Sequence, residues 1–309
     1  MIDPRSVCSF AALASGVLGV LLCCGNVGAQ AQSRPSSRPP RDDRAAESLG
    51  WKLGTQAWTW NFRTAFDTVA IASALGLKYI EFYPGQKLSA QHGDVKMGPG
   101  MGEAAIADLE AHLKAHHMTA VSFGVVSPKN DEAEARALFT FAKRLGLRTI
   151  TAEPSKDAFD LVEKLCTEFQ IAVALHDHPK PSPYWSPELV LEAVGSRSKL
   201  LGACADTGHW VRSGLVPVEC LKKLEGRVIT LHFKDIDKKD KLDKPWGTGE
   251  GDARGMLLEL ARQGFTGVFS LEYEHGRGEA LERDAAACIA FFDQVAAEIV
   301  AQKKASEKR

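Results

Sequence analysis

The chain has 309 residues, of which 45% are apolar and 25% charged, and its 38 Lys and Arg against 39 Asp and Glu give a formal net charge of −1. This composition is typical of a soluble globular protein and excludes collagen-like, disordered and disulfide-stapled chains. The near-neutral balance argues against general attraction to a nucleic-acid backbone, and the length allows one large domain or two small ones.

The first thirty residues have the pattern of a secretory signal. Arg5 precedes an apolar run over residues 7–24, and small residues follow it. This pattern predicts a signal peptide over residues 1–29, cleaved near Ala29 or Ala31, and an exported protein that is periplasmic or secreted. The alternative is a retained membrane anchor, because the run has about the minimum length for a bilayer span. The pattern favours cleavage, with no stable membrane anchor.

Both ends of the remaining chain differ in composition from its middle. Residues 30–50 are rich in Ser, Pro and Arg and predict a flexible linker, and residues 303–309 form a basic tail. The folded body is therefore expected over residues 51–302. Without its two ends the chain keeps 29 basic and 34 acidic residues, so the body is acidic.

Four cysteines lie beyond the predicted signal. They are Cys166, Cys204, Cys220 and Cys288, each single and in apolar surroundings. No CxxC spacing occurs, so neither a disulfide framework nor a zinc–thiolate site is expected. These cysteines are predicted to be small core residues.

From Trp51 onward, eight short apolar runs of strand character alternate with longer amphipathic segments. The runs are KLGTQAW, KYIEFY, TAVSFGV, RTITAE, IAVALH, LLGACAD, VITLHF and GVFSLEY. Eight strand–helix units in about 250 residues predict a single α/β domain, a (β/α)8 TIM barrel. A doubly wound open sheet is the alternative, but the chain lacks its glycine-rich phosphate loop after the first strand.

Polar and aromatic side chains recur where the predicted strands end, which is where such barrels place their active sites. They are Trp58, Glu81, Glu153, His176, His178, Asp206, His209, His232, Lys234, Glu272 and Glu274. Buried acids and imidazoles are costly unless they are paired or bind metal. The set predicts one divalent metal ion, Mn2+, Co2+, Mg2+ or Zn2+. A hydrogen-bonded network without metal is the alternative.

Four motifs in the second half of the chain carry a family resemblance. They are DTGH at 206–209, LHFKD at 231–235, PWGTGEGD at 245–252 and SLEYE at 270–274. In this order they resemble the xylose-isomerase-like barrel superfamily, which includes sugar isomerases and epimerases, inosose dehydratases and endonuclease IV. GLKYIEFYPGQKL at 76–88 more narrowly resembles exported members that act as 3-keto-glycoside lyases or hydratases.

The resemblance implies a set of metal ligands. The epimerase pattern has a carboxylate ending the fifth strand, followed by ligands that match Asp206, His232 and Glu272. His176 stands at the fifth-strand position, where many relatives have Glu, and this departure puts the two-carboxylate mechanism of the epimerases in doubt. Glu153, one strand earlier, is expected to supply the missing carboxylate as a ligand or a base. Glu153, His176 and Glu272 are the candidate catalytic bases.

Other strand-end residues are expected to contact a substrate. Trp58 and Trp246 offer flat faces for stacking on a sugar ring, although anchoring of loops explains them equally well. Alternation places Lys234 and His232 on the same face of a strand, so Lys234 is expected either to bind a substrate oxygen or to be solvated. The remaining candidates for substrate contact are Glu81, which could instead form an internal salt bridge, and His178 and His209, which could instead orient metal ligands.

The resemblance and the site together predict an enzyme that abstracts a proton next to a carbonyl. Return of the proton gives epimerisation or isomerisation, and loss of a β leaving group gives elimination. The export signal and the lack of a phosphate loop favour an unphosphorylated sugar or keto-glycoside, with no nucleic acid as partner. An endonuclease IV-like phosphodiesterase and a non-catalytic sugar-binding barrel are the alternatives, and the oligomeric state stays open.

Overall fold

The structure, a computed structural model, describes residues 41–307. Eight parallel strands close into a barrel in the order β1, β10, β7, β6, β5, β4, β3, β2, which confirms the predicted TIM barrel. The strands are β1 Trp51–Gln56, β2 Tyr79–Phe82, β3 Thr119–Val126, β4 Thr149–Ala152, β5 Ala172–His176, β6 Leu201–Asp206, β7 Val228–Phe233 and β10 Gly267–Leu271. Strands β8 (Asp235–Ile236) and β9 (Asp243–Lys244) form a separate antiparallel pair after β7.

Helices follow the barrel strands, as the amphipathic segments predict. They are α1 Arg44–Ser48, α2 Ala65–Ala74, α3 Glu103–Ala115, α4 Glu132–Arg144, α5 Phe159–Phe169, α6 Pro187–Val194, α7 Thr207–Arg212, α8 Pro217–Lys223, α9 Ala253–Arg262 and α10 Gly278–Glu307. Short 3-10 turns lie at Ala57–Trp60 and Lys156–Ala158. No helix within residues 41–307 is both long enough and apolar enough to cross a bilayer.

Side chains in the sequence explain where several helices begin. Thr64 and Asp67 form a reciprocal capping box at α2, and the Asp131 carboxylate accepts backbone N–H groups at the start of α4. Ser186 caps α6, whose first residue is Pro187. The caps satisfy backbone donors that the helix itself leaves without partners, so each helix begins at a defined point after its strand.

The folded part begins earlier than the predicted boundary at Trp51. The Arg41 guanidinium donates two hydrogen bonds of 2.7 Å to the Asp293 carboxylate on α10, and α1 buries Ala46. Residues 41–50 therefore belong to the fold and not to the linker predicted over 30–50, because a charge-paired guanidinium ties them to α10. The signal peptide (1–29) and residues 30–40 lie outside the described residues.

The carboxyl end of the chain also departs from the predicted boundary. Helix α10 continues to Glu307, so most of the tail predicted over 303–309 is helical, with residues 301–307 exposed.

The four cysteines are all buried and free, as predicted. Burial raises the pKa of the Cys204 thiol to about 12, consistent with a core residue.

The glycine-rich segment after β9 folds around one carboxylate. Asp235 accepts the backbone N–H groups of Gly247 (2.8 Å), Gly249 (3.0 Å) and Gly251 (2.9 Å). A Cβ at Gly249 would lie 2.5 Å from Oδ1 of Asp235, so this close approach requires glycine. The segment is thereby drawn back over the end of β7.

Candidate metal centre

Four side chains from neighbouring strands converge at the carboxyl end of the barrel. His176 ends β5, Asp206 ends β6, His232 lies in β7 and Glu272 directly follows β10. Each residue offers one nitrogen or oxygen atom as a ligand, and these four atoms all lie within 4.8 Å of one another. All four residues are buried, Glu272 being the most exposed at 6%.

The register of the sheet brings these residues together. Asp206 pairs directly with His232 across β6 and β7, and Ser270, two residues before Glu272, pairs with His232 across β10 and β7. Side chains alternate between the two faces of a strand, so Ser270 and Glu272 share the face that looks into the barrel.

Several atoms in this cluster fit a metal centre better than a hydrogen-bonded network. Nδ1 of His232 lies 3.1 Å from Oε2 of Glu272, and Nε2 of His232 lies 3.1 Å from Oε1 of Glu81. All of these atoms are buried, and none of these contacts has hydrogen-bond geometry among the described residues. Buried polar atoms are costly when they have no partner. Two imidazoles and two carboxylates are a donor set that suits a divalent transition metal, so the residues present fit such an ion.

A buried ammonium group lies beside the cluster. Nζ of Lys234 lies 2.9 Å from Oδ2 of Asp206, 2.9 Å from Oε2 of Glu272 and 3.5 Å from Oε2 of Glu274. Burial lowers the pKa of an ammonium, but the carboxylates outweigh it and hold the pKa of Lys234 well above its usual value. Gly208 makes room for this side chain, because a Cβ there would lie 2.7 Å from Cδ of Lys234.

Glu153, which follows β4, holds two histidines at the edge of the cluster. Its Oε1 lies 3.3 Å from Nδ1 of His176 and also contacts Nδ1 of His178. Burial raises the pKa of Glu153, but these hydrogen bonds outweigh it and lower the pKa to about 2. The carboxylate is therefore ionised, and the same bond raises the pKa of His178.

His176 and Glu272 of the cluster line a cavity of about 330 Å³. Its polar lining consists of His176, His178, His209, Glu272 and Glu274, and its apolar lining includes Trp58, Tyr83, Pro84 and Val125; Gln56 and Gly124 complete it. Trp58 is 42% exposed and meets the Tyr83 ring edge-on at 5.0 Å. Of the residues predicted to contact a substrate, Trp58, His178 and His209 thus line the cavity.

Three other predicted contacts lie elsewhere. Trp246 is 2% exposed and packs edge-on against Phe233 in the core, which agrees with loop anchoring and not with stacking on a sugar in this cavity. Asp235 binds the backbone of its loop and so accounts for the inward position. Lys234 is 1% exposed and bound by carboxylates instead of lining the cavity. Glu81 is fully buried, with Oε1 3.1 Å from Nε2 of His232.

Two residues with hydrogen bonds at the site escaped the sequence patterns. Asp177 is buried, and its Oδ1 accepts the backbone N–H of Asp206 at 2.7 Å, which fixes the end of β6. In the sequence, the position of Asp177 between His176 and His178 was the signal that could have identified it as a candidate site residue. Arg212 on α7 donates to Nδ1 of His209 (3.0 Å) and to Oε2 of Glu274 (2.7 Å), and nothing in the sequence pairs these residues.

Comparisons with known proteins agree on the fold. A family model described as xylose isomerase-like TIM barrel matches residues 69–294. A crystal structure of an uncharacterized protein from Parabacteroides distasonis ATCC 8503 is 32% identical, with a TM-score of 0.64, and the match covers 78% of this chain and 98% of that chain. No curated protein matches the chain.

Two more distant structures share the fold with this chain. The first is a D-tagatose 3-epimerase-like protein, 18% identical with a TM-score of 0.62, where the match covers 82% of this chain and 99% of that chain. The second is the probable 3-DHS dehydratase of petrobactin synthesis from Bacillus anthracis, 17% identical with a TM-score of 0.60, where it covers 78% and 98%.

Proposed function

Because the chain belongs to the xylose isomerase-like TIM-barrel family, we propose that it is a metal-dependent enzyme that removes a proton next to the carbonyl of an unphosphorylated sugar or keto-glycoside. The observation that carries the proposal is the buried cluster of His176, Asp206, His232 and Glu272, two members of which, His176 and Glu272, line a cavity. These four residues would hold the ion. A bound divalent ion acts as a Lewis acid, which polarises a carbonyl and makes the adjacent C–H group more acidic.

The groups that would move the proton are those that reach the cavity. His178 lines it with its side chain 48% exposed, and because Nδ1 is bound by Glu153, Nε2 is the nitrogen left to exchange a proton. Glu272 also lines the cavity. We therefore place His178 and Glu272 nearest to the reacting carbon. Glu153 is not placed there, because it does not line the cavity and its Oε1 is occupied by two histidines.

The lining of the cavity supports a sugar as substrate. Carboxylate and imidazole groups of the lining can hydrogen-bond hydroxyls, while Trp58 and Tyr83 offer apolar surface to the carbon face of a ring. None of the eleven residues that line the cavity is Lys or Arg, the side chains that usually bind phosphate. An unphosphorylated substrate therefore fits better than a sugar phosphate.

One observation favours elimination from a 3-keto-glycoside over epimerisation of a free sugar. Tyr83 and Pro84, from the segment 76–88 that resembles keto-glycoside lyases, form part of the apolar lining. In such a substrate, loss of the proton at C2, next to the C3 carbonyl, expels the aglycone from C1. Export through residues 1–29 stays part of the proposal.

The test is product formation followed by NMR. The protein is incubated with 3-keto-glucosides and with free keto-sugars, each with Mn2+, Co2+ or Mg2+ and, in parallel, with EDTA. We expect turnover that is lost with EDTA and lost in Asp206→Asn, whereas Glu132→Gln on the outer face of α4 keeps it. Turnover that EDTA leaves unchanged, or no turnover of either substrate class, would contradict the proposal.

A further inference from the structure

We infer that Glu153 and Glu81 are positioning residues outside the ligand set, which make His176 bind the metal through Nε2 and His232 bind it through Nδ1. The inference rests on the proposed function, since it concerns the metal centre described there. It assigns to each ligand histidine a carboxylate partner and a ligating nitrogen. The ligating atom is Nε2 in His176 and Nδ1 in His232. NMR distinguishes these two ring nitrogens, so the assignment can be tested without any substrate.

His176 faces a different carboxylate with each ring nitrogen. Nδ1 lies 3.3 Å from Oε1 of Glu153, and Nε2 lies 3.5 Å from Oδ2 of Asp206, a member of the metal cluster. A neutral imidazole carries a proton on one nitrogen and a lone pair on the other. Because a carboxylate oxygen accepts hydrogen bonds, the proton belongs on Nδ1, where it is donated to Glu153. The lone pair of Nε2 then points into the cluster.

His232 shows the opposite arrangement. Its Nδ1 lies 3.1 Å from Oε2 of Glu272 within the cluster, while its Nε2 lies 3.1 Å from Oε1 of Glu81. Strand β2, which carries Glu81, is not a neighbour of β7 in the barrel, so Glu81 reaches His232 across the interior. The hydroxyl of Ser270 donates to Oε2 of Glu81 at 3.1 Å and leaves Oε1 for the imidazole. Here the proton belongs on Nε2, and Nδ1 faces the ion.

The geometry does not favour Glu153 as a ligand. Its Oε1 already accepts from His176, from His178 and, at 3.4 Å, from the backbone N–H of His178. An ion bound by Glu153, His176 and His178 together would lie on the Nδ1 side of His176, because Nδ1 is the nitrogen next to Glu153. The two arrangements therefore differ in which nitrogen of His176 is bound.

Carboxylates in this position have a known effect on affinity. A carboxylate that accepts the second N–H of a ligand histidine fixes the tautomer and the orientation of the ring and makes the ligating nitrogen more basic, and its loss typically weakens metal binding 10- to 100-fold. Glu153→Gln and Glu81→Gln are each expected to raise the dissociation constant for Zn2+ by that factor. Both should still bind one ion at saturation, because no ligand has been removed.

The decisive experiment is 15N NMR of the histidine side chains in the full chain loaded with Zn2+, with each of His176 and His232 assigned from its His→Gln variant. We expect the metal-bound signal at Nε2 of His176 and the N–H signal at its Nδ1, and the reverse for His232. Zn2+ affinity is measured by competition with a chelator for the wild type, Glu153→Gln, Glu81→Gln and Glu132→Gln. Glu132→Gln, the same change on the exposed face of α4, should match the wild type.

The outcomes separate this inference from the proposed function. Metal bound through Nδ1 of His176 or through Nε2 of His232 would overturn the inference alone, as would unchanged affinity in both carboxylate variants. A chain that binds no divalent ion would overturn the proposed function and this inference together. The NMR assignment uses wild-type ligation, so it decides the matter even where a Glu→Gln variant folds poorly.

Discussion

Replacement of Lys234 by Met tests the charge balance at the metal centre. Its ammonium lies 2.9 Å from both Asp206 and Glu272, and at an effective dielectric constant of 20 each contact is worth about 6 kcal/mol before desolvation. Desolvation of the three groups cancels much of this gain. Breaking a buried pair by removal of one partner costs about 3–5 kcal/mol. We therefore expect Lys234→Met to lose about 3–5 kcal/mol of unfolding free energy in the metal-free protein.

Urea unfolding followed by circular dichroism measures this loss after treatment with EDTA. A saturating divalent ion stabilises a native site by about 2.7 kcal/mol at 100 times its dissociation constant, and it should stabilise the variant more than the wild type because it replaces the missing positive charge. The control is Lys223→Met, whose pair with Glu188 is at the surface. A loss below about 1 kcal/mol, or equal stabilisation of variant and wild type by metal, would refute the reasoning.

Three further changes test other parts of the structure. Trp58→Ala should raise KM about tenfold, which corresponds to about 1.4 kcal/mol of binding free energy, and should change kcat little. The reason is that the exposed Trp58 ring lines the cavity. Steady-state kinetics with the active substrate checks this. Arg41→Ala should lower the unfolding free energy by about 1–3 kcal/mol, since it removes the paired hydrogen bonds to Asp293. Burial raises the pKa of Asp243 from 3.8 to about 6. Between these values the folded state binds more protons than the unfolded state, so this residue's contribution to stability falls as pH rises from about 4 to about 6. Asp243→Asn should remove that fall, which urea titrations across this pH range measure.

Each of these changes has a control or a contradicting result. Phe62→Ala, which removes an exposed ring that does not line the cavity, should leave KM unchanged, and an equal effect of both variants would contradict the role of Trp58. Arg44→Ala removes an exposed pair with Asp42 and should leave stability close to that of the wild type. Parallel pH profiles for Asp243→Asn and the wild type would show that burial does not perturb this carboxyl.

The barrel and much of the site could be predicted because two regularities act together. Parallel strands buried on both faces read as short apolar runs, and closure of eight strands brings all carboxyl ends to one rim. Residues at strand ends, such as His176, Asp206 and Glu272, therefore had to approach one another. Their convergence follows from topology alone, without knowledge of side-chain contacts.

The parts that could not be predicted depend on contacts between segments distant in sequence. Trp246 follows a strand end, but its loop is drawn inward by Asp235, and no local pattern reveals that hydrogen bonding. Alternation places Lys234 inward, yet only the packed structure shows that carboxylates from β6 and β10 bind its ammonium. Arg41 lies in a segment of linker-like composition, and its partner is 252 residues away in the chain.

Metal content is the most direct test of the central claim that four residues at the barrel mouth hold a divalent ion. The protein is stripped with EDTA, dialysed against Mn2+ and analysed by inductively coupled plasma mass spectrometry. The account predicts one Mn2+ per chain for the wild type and none for Asp206→Asn or His232→Ala, with the circular dichroism spectrum of a folded barrel retained. A wild type without stoichiometric metal, or variants that bind as much as the wild type, would contradict it.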